Sequence, residues 1–152
     1  MKKQRWLAVL LSLVAFAPAL RAAENLRLNP KLDYSSDSQD GPLITGDRMD
    51  EGSAPGVPNY ILIFQEGCFN SKRQARRTVA LYEKYKGRVH FVIIDLDRQR
   101  SPGQRALVES YFKGEIPHVL ILSRSGKAVY NQAGEVDEST IAGMLDGLLK
   151  RD

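Results

Sequence analysis

Two apolar runs of strand length, YILIFQ at 60–65 and RVHFVIIDLD at 88–97, flank a stretch that repeats with the period of a helix. That arrangement constrains the fold more than any other feature of the chain. Runs so rich in β-branched and aromatic side chains belong to strands covered on both faces. Between them, 69–86 contains no proline and sets Ala75, Val79 and Tyr82 at helical spacing, so a helix is predicted to begin at or just after Cys68. Strand, helix and strand in that order make a crossover unit with parallel strands.

The second half predicts a different unit. Ser101 before Pro102 is a helix opening, because the serine hydroxyl accepts an early free N–H and proline has none to lose at the first position. Leu107, Val108, Tyr111 and Phe112 supply the apolar stripe, and Gly114 marks the end. HVLILSRSGKAVYNQAG, 118–134, reads as two strands around the polar connection 123–127, a hairpin. Asp137 or Ser139 then opens a last helix on Ile141, Met144, Leu145, Leu148 and Leu149. A βαβ unit followed by a ββα unit gives an α/β protein with a mixed central sheet flanked by helices.

Before this domain, expected over 60–150, lie two other kinds of sequence. MKKQR, an apolar run from Trp6 to Ala19 and small residues at Ala22 and Ala23 have the order of an export signal over 1–22, its run too short for a comfortable membrane span. A retained N-terminal anchor is the alternative, since Arg21 sits close to the cut. No cysteine follows the apolar run, which excludes a lipid-anchored lipoprotein. Export would place the chain in a bacterial periplasm or outside the cell, with no stable membrane association after cleavage. The signal holds four of the 22 basic residues and no acid, so the remainder has 18 of each sign. Nothing in that balance points to nucleic acid. Residues 23–59 are crowded with Ser, Asp, Gly and Pro and read as a polar lead-in, partly extended or disordered, with at most a short edge strand near 43–45.

Cys68 is the sole cysteine, within EGCFNSK. Exported domains usually pair their cysteines or have none, so a lone one is a reactive thiol, an intermolecular link or an inert buried side chain. At a helix N-terminus, free N–H groups and the positive end of the helix dipole favour thiolate over thiol. Ser71, one turn on, could add a hydroxyl hydrogen bond to the sulfur, and Lys72 a positive charge.

The element order, with a cysteine closing the first strong strand and Ile116–Pro117 just before the hairpin, resembles the thioredoxin family over about 60–150. Thioredoxins carry W-C-G-P-C-K at the start of their first long helix; here Gly67, Cys68, Phe69, Asn70, Ser71 and Lys72 stand in that place. The resemblance puts Cys68 on the nucleophilic position and Ser71 on that of the resolving cysteine, a CxxS motif. It implies a cis-proline at Pro117 facing the sulfur, with Ile116 pairing to an extended substrate and Phe69 and His118 lining the same groove. Glu66 and Gly134 agree with the family. Leu62 departs from it, standing where thioredoxins bury an assisting aspartate, as do Gly67 for tryptophan and His118 for threonine.

Three functions stay open on these residues. One is monothiol exchange, in which Cys68 forms a mixed disulfide that an external thiol such as glutathione resolves, because Ser71 cannot. No cofactor is implied beyond that reductant, and the partner is a protein or peptide thiol or disulfide. Another is a degenerate binding module docking a partner at the Cys68 and Pro117 groove. The third pairs Cys68 with His118 on copper or zinc, although two ligands are too few for a tight site, and no metal residues are assigned. An exposed thiol can also link two copies into a dimer. His90 reads as structural; Lys72, Arg73, Arg76 and Arg77 read as a solvated basic stripe, and Asp95, Asp97, Arg98 and Arg100 as a solvated loop.

Overall fold

Six consecutive residues, Asn59–Phe64, are buried along their whole length, as a strand with neighbours on both sides and layers on both faces must be. They form β3 in the computed structural model, which describes residues 22–38 and 41–151. The full order is β1 Glu24–Leu28, β2 Ile44–Asp47, β3 Asn59–Phe64, α1 Phe69–Tyr85, β4 His90–Asp95, α2 Pro102–Tyr111, β5 His118–Leu122, β6 Ala128–Ala133 and α3 Glu138–Leu149. Apart from Ala22, the export signal expected over 1–22 lies outside the described residues. Among the described residues no helix is long and apolar enough to cross a membrane.

The central sheet runs β4-β3-β5-β6, with β4 parallel to β3 and β5 and β6 antiparallel to their neighbours. Alternation along β3 divides the core in two. Tyr60, Leu62 and Phe64 face a large layer that holds Ala75, Leu81, Tyr85, Ile141 and Leu145 from α1 and α3. Ile61 and Ile63 face a smaller layer with Val92, Ile94, Leu107 and Leu120, closed by α2. The predicted βαβ and ββα units are therefore both present, and a mixed sheet joins them.

The caps follow the local chemistry. Ser101 accepts from the Gln104 N–H at 3.2 Å while the Gln104 side chain accepts from the Ser101 N–H at 3.2 Å, a reciprocal box with Pro102 at the first helical position. Gln104 goes further, donating to the Met49 and Ile93 carbonyls at 2.7 and 3.2 Å, so it ties α2 to the lead-in and to β4. Gly52 and Gly103 approach so closely that a Cβ on Gly52 would meet the Gly103 Cα at 3.0 Å.

The lead-in is more structured than its composition predicts. β1 and β2 pair antiparallel as a separate two-stranded sheet. Leu26, Tyr34, Leu43 and Ile44 are buried in the large core layer, and the Tyr34 hydroxyl donates to the Leu43 carbonyl at 2.5 Å. Single apolar anchors separated by polar residues, held by non-local packing, leave no periodicity for a local reading to find.

Candidate functional site at Cys68

β3 ends at Phe64, a short turn follows, and Cys68 occupies the N-cap of α1 in an extended conformation. Its thiol is free and half-buried. A surface cleft of about 270 Å³ exposes it, lined by Gln65, Gly67 and Asp97. β5 runs antiparallel to β3 with His118 opposite Ile63, so the start of β5 lies at the sheet end that carries Cys68. The Ile116–Pro117 bond just before it is cis. Gly134, whose φ of 92° suits glycine, donates to the Pro117 carbonyl at 2.7 Å and fixes that corner to the end of β6. Ile116 is half-buried and Pro117 buried.

The residues expected to support the thiolate sit differently from their expected roles. Ser71 is fully buried, and its hydroxyl has no hydrogen-bond partner, the sulfur included. Lys72 is also fully buried; its ammonium donates to the carbonyls of Asp33 and Ser36 at 2.7 Å each and to the Ser38 hydroxyl at 3.1 Å. That cation is committed to the lead-in, so the motif lysine holds a strap across the start of α1. The strap returns a contact of its own: Asp37 Oδ1 accepts from the Phe69 N–H at 2.8 Å. No acid stands in the first turn of α1 and Cys68 makes no side-chain cap bond, so Asp37 is the cap, supplied from outside the helix. Phe69 is half-buried, with the Arg73 guanidinium 5.2 Å from its ring centre.

His118 lies fully buried against Phe112, ring centres 5.7 Å apart. Its Nε2 bonds the Asn131 carboxamide oxygen at 2.6 Å, which makes Nε2 the protonated nitrogen and leaves Nδ1 buried with no partner. By strand alternation it shares a face with Leu120 and Leu122, the α2 side of the sheet, whereas Cys68 opens α1 on the opposite side. The Cys68 and His118 metal pair has no support in this geometry. Among the described residues no three His, Cys, Asp or Glu side chains gather as metal ligands. His90 is structural, its Nε2 on the Gly52 carbonyl at 2.7 Å.

The acidic loop after β4 exposes Asp97 and Arg98 as expected, and it also ties the turn before α1. Asp97 Oδ2 accepts from the Glu66 N–H at 2.8 Å, and the Glu66 carboxylate, buried, pairs with Arg98 at 2.6 Å. These contacts fix the turn that presents Cys68. Asp95 Oδ2 is buried with no hydrogen-bond partner; Arg98 Nε lies 4.0 Å from it, and Glu66 and Asp97 are acidic neighbours. Burial pushes the Asp95 carboxyl up to about 7, helped by a hydrogen bond to Glu66 and by repulsion from Glu66 and Asp97, with the Asp97 N–H opposing. Asp95 therefore keeps its proton to a higher pH than an ordinary carboxyl does. A larger cavity of about 340 Å³ lies beside Asp95, bounded by Ile44, Met49, Phe64 and Ile93, and does not reach Cys68.

The basic stripe is exposed at Arg73 and Arg76 as expected, with Lys72 buried and Arg77 half-buried, and it also makes contacts. Arg73 and Arg77 both pair with Glu135, Arg77 at 2.9 Å, and Arg76 stacks 5.6 Å from the Tyr34 ring centre. It clamps α1 to the end of the hairpin on one side and to the lead-in on the other.

A solved thioredoxin-like protein from Clostridium perfringens superposes with a TM-score of 0.53 over 64% of this chain and 76% of its own, at 17% identity. The fold is thioredoxin-like. A malarial protein of known structure gives 0.51 at 15% identity, covering 61% of this chain and 98% of its own. The germline-specific thioredoxin Deadhead of Drosophila melanogaster gives 0.49 at 22%, covering 61% and 82%. No protein-family model matches the chain, and no curated protein matches it.

Within the thioredoxin-like fold, the structure brings Cys68, Phe69, Ile116 and Pro117 to one end of the sheet, binds Lys72 to the 33–38 strap and places His118 on the α2 face. Sequence reasoning missed Asp37, Asp97 and Gln104. An N-cap position filled by cysteine was the one available signal for Asp37, since such a helix start needs an acceptor from elsewhere.

Proposed function

We propose that this protein performs monothiol disulfide exchange through Cys68. The carrying observation is the half-exposed thiol at the N-cap of α1, open to a cleft at the sheet end that also carries Ile116 and Pro117. The Cys68 thiolate attacks one sulfur of a substrate disulfide, the old S–S bond breaks, and the departing thiolate takes a proton from solvent. Substrate and Cys68 are then joined as a mixed disulfide. A small thiol such as glutathione attacks the substrate sulfur of that bond and restores Cys68; when the substrate is itself a glutathione mixed disulfide, Cys68 instead attacks the glutathione sulfur, the substrate leaves as its free thiol, and a second glutathione attacks the Cys68–glutathione disulfide to give oxidised glutathione and free Cys68. Ser71 cannot perform the second attack, since an oxygen nucleophile would have to end in an unstable S–O bond. Ile116 and Pro117 are assigned to substrate docking by resemblance to thioredoxins. The proposed setting is a compartment outside the cytoplasm, and the proposed partner is a protein or peptide carrying an accessible disulfide.

Three observations favour a second reading. Lys72 is drawn into the strap, Ser71 makes no bond to the sulfur and Leu62 replaces the family's acid, so the groove could serve as a docking surface without turnover. The test is turnover of a glutathionylated peptide with excess glutathione by wild type and by Cys68→Ser. Exchange predicts turnover that the substitution abolishes; equal background rates with both proteins would leave the docking module.

A further inference from the structure

We infer that the cavity of about 340 Å³ between the lead-in and the ends of β3 and β4 is a second binding site, suited to a small amine that carries an apolar, ring-sized body. Its place in the fold is the first support. Phe64 and Asp95 are the last residues of β3 and β4, and both line it. The crevice beyond the carboxyl ends of parallel strands is where α/β sheets hold ligands. The lead-in covers this crevice with Ile44 and Met49, and Gln104 fixes the cover by donating to the Met49 and Ile93 carbonyls. A cavity of about 150 Å³ already takes a benzene ring, so this one has room for a ring and a short chain.

The lining divides into a wall and a rim. Ile44, Phe64 and Ile93 are buried and Met49 is half-buried, an apolar wall for the body of the ligand. Asp50, Arg98 and Gln99 are exposed and form the rim. Asp95 adds a carboxyl whose side chain is 11% exposed and whose Oδ2 has no hydrogen-bond partner. These charges choose the head group. Among the described residues that line the cavity, the carboxyls of Asp50 and Asp95 stand against one cation, Arg98, which is already bonded to Glu66 at 2.6 Å. Glu66 and Asp97, the charged neighbours of Asp95 on the preceding turn and on its own loop, are acids as well. An ammonium compensates that excess, whereas a carboxylate or phosphate would add to it. Burial raises the Asp95 carboxyl to about 7, and a bound cation favours its ionised form.

Phenethylamine titrated into the isotope-labelled full-length protein at about pH 8, where the amine is still charged and Asp95 ionised, reads the site through amide shifts. Thr45, Met49, Ile93 and Gln104 should shift together with a Kd in the millimolar range or tighter, while Gly87 and Val89, in a separate cleft, stay still. Phenethyl alcohol, the same body with a neutral head, should bind at least about tenfold more weakly, as loss of a charge-assisted hydrogen bond predicts. Asp50→Asn and Asp95→Asn should each weaken the amine about threefold or more and leave the alcohol unchanged. Glu138→Gln, the same charge change on α3, which lends no residue to the cavity, should alter neither. Amine affinity should also fall in wild type as pH drops through about 7, and fall less in Asp95→Asn. No saturable shift by about 10 mM, equal binding of the alcohol, or unchanged amine affinity in both aspartate variants overturns the inference. Amine and alcohol are compared on the wild-type chain, so that result stands even where a variant fails to fold. Cys68 does not line this cavity, so either result leaves the exchange reading to its own turnover test.

Discussion

A buried carboxyl that shares its proton with a neighbour destabilises the fold once that proton leaves. Asp95 is such a group: its folded value near 7 stands above the ordinary 3.8, so the folded state binds more protons than the unfolded chain between those values. Its contribution to stability is present below about pH 4 and is lost as pH rises toward 7. Asp95→Asn keeps the polar contact with Glu66 without the titration, so its melting temperature relative to wild type should rise from pH 4 to pH 8. A constant difference across that range would show that Asp95 does not titrate there. At this scale the sequence made Cys68 and Ile116–Pro117 legible, because a strand end, a helix start and a hairpin fix where they fall. It did not make the partners of Asp95, Asp97 or Asp37 legible, because each is far along the chain from the residue it serves, 31 positions for Asp97 and 32 for Asp37, and carries no periodic mark.

Elements that cap themselves are readable and cheap to test. Ser101, Pro102 and Gln104 announce the start of α2 in four consecutive residues, and the structure forms the full reciprocal box. Ser101→Ala should cost about 1 kcal/mol in urea unfolding, as loss of a capping hydroxyl does. An unchanged midpoint would mean that the contacts of Gln104 with Met49 and Ile93 alone hold the helix. α1 is the opposite case. Its cap comes from Asp37 across a long separation, and its basic stripe, exposed at Arg73 and Arg76 as expected, buries Lys72 and also reaches Glu135 and Tyr34. Charge runs look alike in a sequence whether water or a neighbouring element receives them.

For the whole molecule, the domain expected over 60–150 shares its large core layer with residues before it. Leu43 is fully buried there with Leu26 and Ile44. Leu43→Ala should cost about 2–5 kcal/mol, the range for a leucine truncated in a packed core. A fragment of 60–150 should unfold at lower urea than 22–151; equal midpoints would show the lead-in to be dispensable. The proposed exchange chemistry is tested on the whole chain: one sulfur would accept a mixed disulfide and need an external thiol for its release. A glutathionylated or peptide disulfide substrate is allowed to form its adduct with Cys68, excess is removed, and release of the bound thiol is followed against glutathione concentration. Monothiol exchange predicts no release without glutathione and a rate that rises in proportion to it, while Ser71→Cys releases without any. Failure to form an adduct at Cys68, or release from wild type at zero glutathione, would contradict it.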